Sequence, residues 1–294
     1  MGLMFIFIAV FFNVANGYSS KRVSGAVQTI RDTTLFNTAR GFSCFIFALL
    51  LVLLKGILNI FTITLTEAVI YIVAGTSMTL FWTVWILALR TDAYMLVSVC
   101  GSASFIVPCL FGVLFLDESF SMYKLIAFIL ILCSLYFLLR YNFKLKGKLS
   151  TKQILLLILI IISQGIYQTT QKMYSVYAGN KDTSLYTLYM LFVSFLVFVI
   201  ISPFVKKDAN NQKNPVIKNN LKYIVLMGLA LFATTYFQTL AAKEIDAIIL
   251  YPILSALGLT GSSIMSSAIF KEKMSRDSVI GIALVFCALI FSRA

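Results

Sequence analysis

Ten apolar stretches recur along the 294 residues, at roughly 3–20, 41–55, 68–89, 94–116, 122–139, 153–174, 185–203, 223–241, 247–269 and 278–292. A helix that crosses a bilayer needs about 20 mostly apolar residues, so lipid is the solvent this spacing fits. Composition agrees: 60% of the residues are hydrophobic and 12% are charged, whereas soluble domains carry roughly 25% charge. An ordinary soluble domain, a disordered chain and a disulfide-stapled secreted module are all excluded. The first stretch lacks the basic start and small-residue cleavage site of a signal peptide, so it is read as a span. The chain reads as an all-α membrane protein with ten transmembrane helices.

The formal net charge of +13 is a property of the loops. Loops after spans one, three, five, seven and nine hold 18 of the 24 Lys and Arg, with Arg31 and Arg40 counted in the first. Lys and Arg accumulate on the cytoplasmic side, which predicts a multi-pass cell-membrane protein with both termini outside. The basic runs at 142–152 and 206–222 are expected to face anionic headgroups, with no role for nucleic acid. All five cysteines fall within apolar stretches, and there is no histidine. No metal-ligand spacing results, and no cofactor is expected. Neither a phosphate-cradling loop nor a nucleophile–base set appears, so the chain is not expected to be an enzyme.

Self-similarity narrows the architecture. Residues 11–47 align without a gap on 161–197: Arg31-Asp32-Thr33-Thr34-Leu35-Phe36 meets Lys181-Asp182-Thr183-Ser184-Leu185-Tyr186, and Arg22 meets Lys172. A second block aligns 88–140 on 242–294, pairing Asp92-Ala93 with Asp246-Ala247, Glu118 with Glu272, and Cys133 with Cys287. Each copy holds five spans, and an odd number forces the copies into opposite orientations. The expected architecture is two inverted five-helix repeats, 1–141 and 153–294, joined by a basic linker at 142–152. Inverted repeats recur in secondary transporters, whose sites lie near the midplane between the repeats.

The ends of spans four and nine carry the most specific motif. Phe115-Leu116-Asp117-Glu118-Ser119-Phe120 and Ile269-Phe270-Lys271-Glu272-Lys273-Met274 resemble the apolar-Gly-Glu-x-apolar hinge of the drug/metabolite transporter superfamily, in its EamA-like branch. Asp117 and Lys271 replace the expected glycines, Pro108 and Pro252 displace the expected prolines, and Ala15-Asn16-Gly17 stands where a Trp-Gly pair is typical. The resemblance implies cytoplasmic termini, against the charge count, while the inverted repeats predict alternating access.

No acidic residue lies mid-span, which disfavours proton-coupled export of cations through a buried carboxylate. Glu118 and Glu272 read as anchors ahead of helices capped by Ser121 and Ser275. Candidate substrate contacts are neutral: Asn16 on span one, Trp82 on span three, Ser102 on span four, Gln164 and Gln168 on span six, Tyr236 and Gln238 on span eight, and Tyr251 on span nine. Ser98 and Ser255 join the wider polar lining. Amides, hydroxyls and aromatic faces suit a small polar or zwitterionic solute. Lys21, Arg22 and Lys172 are the candidate contacts if the solute is instead an anionic phosphorylated metabolite or nucleotide sugar. Their place late in the spans, near the interface, fits snorkelling to headgroups at helix ends better. A non-transporting, lipid-handling accessory subunit is the reading from a different class. The expected partners are the solute and the bilayer, with the protein a monomer or homodimer.

Overall fold

The computed structural model describes residues 1–23, 27, 29–57, 62–89, 101–118, 122–140, 151–179, 181–205, 216–270 and 276–291. Among the described residues are ten α-helices: α1 (Gly2–Val23), α2 (Ile30–Leu54), α3 (Leu65–Leu89), α4 (Ile106–Phe115), α5 (Met122–Arg140), α6 (Thr151–Tyr177), α7 (Thr183–Ile201), α8 (Val216–Glu244), α9 (Ala247–Phe270) and α10 (Arg276–Phe291). Six apolar segments are long enough to span a membrane, and four shorter ones account for α4, α5, α9 and α10. Phe7, Phe11, Leu54, Leu114 and Ile200 lie exposed on the outside, as lipid-facing side chains do.

Helix starts follow local chemistry. Thr29 caps α2 in a reciprocal box, its Oγ1 accepting from the Asp32 amide while Asp32 Oδ2 accepts from the Thr29 amide. Satisfying two orphan amides there starts the helix eleven residues before the apolar stretch at 41–55. Asp182 caps α7, accepting from the Ser184 amide at 2.7 Å. The repeated Arg/Lys-Asp-Thr string is therefore a helix start in both copies.

Inversion is visible in which ends meet. The Met1 amine lies 3.5 Å from Glu244, so α1 begins where α8 ends. Lys172 donates to the carbonyls of Ala242 and Ile245, so α6 ends there too. Thus α1 and α6 run in opposite directions, and Arg22 and Lys172 sit at opposite faces. We call the face holding Lys172 the network face.

Packing repeats the symmetry. α1 lies along α8 as α3 lies along α6, and α2 against α8 mirrors α3 against α7. α5 pairs with α10 and α4 with α9, across the two copies. Glycine permits two of these approaches. A Cβ on Gly75 would lie 2.6 Å from Val193 Cβ on α7, and a Cβ on Gly228 would collide with Ser43 on α2. Small residues at such crossings are the usual device for close packing in lipid.

Candidate functional site

Charged side chains tie the helix ends together at the network face. Lys181 Nζ meets Glu67 Oε2 at 2.6 Å and also donates to the Thr62 carbonyl. Lys55 Nζ meets Asp182 Oδ2 at 2.9 Å and donates to Tyr236 Oη at 2.9 Å. Burial works to lower the Lys55 pKa, but hydrogen bonds to Tyr236 and Asp182 outweigh it and hold the ammonium above its ordinary value. Burial works to raise Asp182, yet bonds from Ser184 and Lys55 keep its carboxyl below the ordinary range.

Deeper lies a buried ion pair, Lys172 Nζ to Glu118 Oε1 at 3.1 Å. Glu118 accepts from the amides of Ala247 and Ile248, the first turn of α9. Lys172 Nζ also lies on the carbonyls that end α8. A carboxylate thus meets a helix N-terminus and an ammonium a helix C-terminus, each favoured by the helix dipole. The expectation for Glu118 is corrected here: it caps α9 of the other repeat rather than its own following helix. Asp117, where the hinge motif carries glycine, has φ +52°. The turn that aims Glu118 therefore uses the left-handed backbone that glycine adopts freely. Ser121, Lys271, Glu272 and Ser275 lie outside the described residues.

A polar zipper continues inward between α6 and α8. Tyr167 Oη donates to Thr235 Oγ1 at 3.1 Å, and Gln171 Nε2 donates to Tyr167 Oη, the Thr235 carbonyl and Thr239 Oγ1. The repeat-equivalent helices α1 and α3 make far less contact among the described residues. Pseudo-symmetry is broken at this point.

The expected solute contacts divide between several places. Gln168 is buried, taking a bond from Ser104 at 3.3 Å while its carbonyl accepts from Tyr251 Oη at 2.6 Å. This joins α6 to α4 and α9. Gln164 is half-buried with an unpartnered Oε1, and Asn16 is likewise half-buried with an unpartnered Oδ1. Ser102 is half-buried in the helical segment 101–103 that precedes α4, and Gln238 is buried on α8. Tyr236 belongs to the network around Lys55. Arg22 is exposed at the far end of α1, its Nε donating to Tyr18 Oη at 3.3 Å. Ser98 lies outside the described residues, as do the side chain of Lys21 and linker residues 142–150.

Trp82 reveals what the sequence reading missed. Its buried ring stacks on Phe198 and lies 4.2 Å beneath the Arg40 guanidinium carbon. Arg40 is only 4% exposed and sits ten residues past Ile30 on α2, so it is a helix residue and not a loop cation. Asn37, one turn away on the same face, is fully buried. Arg40 Nε and Nη2, both polar atoms of the Asn37 amide, and Trp82 Nε1 find no hydrogen-bond partner. The signal available in the sequence was the Thr29-x-x-Asp32 box, which starts the helix early enough to carry residue 40 inside.

Together these features define a multi-pass membrane protein built from two inverted five-helix units, with charge and amides buried where the units meet. The family profile of the EamA-like transporter family matches residues 151–294, the second unit. A crystal structure of a protein 12% identical in sequence superposes with a TM-score of 0.76, covering 99% of this chain and 97% of its own. No curated protein matches the chain. Residues 151–294 are thus similar to the EamA-like transporter family, which supports a role in membrane transport, and the whole chain shares the fold of the solved structure.

Proposed function

We propose that the protein is a secondary transporter that moves a small polar or zwitterionic organic metabolite across the cell membrane by alternating access, with no enzymatic step. The observation that carries this reading is the broken symmetry between the two copies. α6 is zipped to α8 and sealed by Lys172–Glu118, Lys181–Glu67 and Lys55–Asp182, while α1 and α3 are not zipped among the described residues. Two inverted copies of one unit, held in unequal arrangements, can exchange those arrangements, and the exchange opens the opposite face.

Gln164 and Asn16 offer unpartnered carbonyl oxygens to a solute, whereas the Trp82 ring is already covered by Arg40 and Phe198. The alternative of a phosphorylated solute held by Lys21, Arg22 and Lys172 draws less support, because Lys172 is already neutralised by Glu118. The positive-inside bias favours placing the network face outside, with both termini.

Purified protein in liposomes tests the reading. A thermal-shift screen of metabolites selects the solute, since a ligand that binds only the folded state raises the melting temperature with dose. Counterflow of that solute is the expected result. Absence of both uptake and counterflow for every stabilising solute favours the accessory-subunit reading instead.

A further inference from the structure

A guanidinium buried in the apolar interior without a carboxylate partner is costly, because desolvation penalises the charge and each unmade hydrogen bond adds to it. Arg40 stays protonated regardless. The faces of Trp82 at 4.2 Å and Phe36 at 5.8 Å compensate part of the charge. They do not satisfy its in-plane N–H groups, and Nε and Nη2 remain unpartnered. Beside them the Asn37 amide and the Trp82 indole add two more N–H donors that also find no acceptor.

An anion placed here would accept from all of these donors at once. We infer that Arg40, Asn37 and Trp82 form the subsite that holds the carboxylate of the transported solute, a small organic acid or zwitterion with a single carboxylate. The inference rests on the transport reading above and names the substrate class for it. Geometry favours a carboxylate: the guanidinium edge matches its two oxygens in a planar fork, which a lysine could not offer. Charge favours a monoanion, because Arg40 is the only cation in the cluster among the described residues, whereas a phosphate monoester carries close to two charges. The unpartnered Asn37 Oδ1 is an acceptor, which suits a hydroxyl or ammonium next to the carboxylate.

Trp82 also provides the readout. The chain has 2 Trp, so a Trp85→Phe background leaves Trp82 as the sole indole. The full chain, purified in detergent, is titrated with three- to six-carbon monocarboxylates bearing a 2-hydroxy or 2-amino group, their neutral carboxamides, inorganic phosphate and sodium chloride. The expected result is a saturable change in Trp82 emission with at least one carboxylate, about tenfold or more weaker with its carboxamide. Arg40→Lys, Arg40→Gln and Asn37→Ala each weaken that response by about tenfold or more. Without ligand, Arg40→Gln melts no lower than its parent, because an uncompensated buried charge has been removed.

The inference is overturned by no saturable carboxylate response, by equal response to the carboxamides, or by response to phosphate or chloride alone. An unchanged titration in Arg40→Gln or Asn37→Ala overturns it too. Should Arg40→Gln fail to fold, Arg40 is a structural residue and the inference is equally overturned. Counterflow of a non-carboxylate solute, with Trp82 silent, removes the subsite and leaves the transport reading standing. Carboxylate binding without counterflow in liposomes does the reverse.

Discussion

Asp117 and Glu118 show how two adjacent residues set a helix junction. Asp117 accepts a left-handed backbone at φ +52° so that Glu118 can reach the start of α9. Replacing Asp117 with glycine removes the steric penalty and is expected to stabilise the protein by about 1 kcal/mol in chemical denaturation. Glu118 and Lys172 are both nearly fully buried, so losing either strands a charge. Glu118→Gln or Lys172→Met alone is expected to cost about 3–5 kcal/mol, and the double variant clearly less than the sum. A double-mutant cycle measures the difference, and strict additivity would remove the coupling. At the Lys55–Asp182 pair the sign follows from both shifts. Asp182 is depressed, so its contribution is present above the unfolded carboxyl value of about 3.9 and fades as pH falls through the lower folded value. Lys55 is raised, so its contribution is present below about 10.4 and fades as pH rises through the higher folded value. Melting temperature against pH is expected to lose its acid limb in part in Asp182→Asn and its alkaline limb in part in Lys55→Met.

At the level of helices, glycine decides how closely the two copies interlock. Gly75→Ala on α3 drives a methyl into Val193 and is expected to destabilise the protein by about 1–3 kcal/mol. Gly228→Ala on α8, at the related crossing with α2, is expected to do the same, while Gly17→Ala, with open space around it, is expected to be near neutral. Much of this level was legible from the chain. Apolar run length located the helices because bilayer thickness fixes it, and the duplicated Arg/Lys-Asp-Thr string marked two helix starts. What the runs could not show is polar helix buried by its neighbours. The first half of α2 carries Thr33, Thr34, Asn37 and Arg40, all buried, and its residues 30–40 read as loop by hydropathy. Hydropathy measures contact with lipid, and this segment contacts protein. The partners of Glu118 were illegible for a related reason, because local capping rules look along the chain and Glu118 bonds to a helix 129 residues away.

For the whole molecule, the odd number of spans per copy was enough to predict opposite orientations, and Arg22 and Lys172 indeed mark opposite faces. The zipper at only one of two equivalent helix pairs required coordinates, since sequence symmetry cannot say which of two arrangements a chain rests in. Alternating access requires that the α6–α8 zipper open in turn. A substrate-independent measurement tests this most directly: a cysteine replacing Gln168 in an otherwise cysteine-free protein, oriented in liposomes and exposed to an impermeant thiol reagent from either side. Modification is expected from both sides, with the network-face reaction abolished when residues 171 and 239, changed to cysteines and disulfide-linked before labelling, are locked and restored on reduction. Modification from one side alone, whether or not the lock is closed, would contradict it.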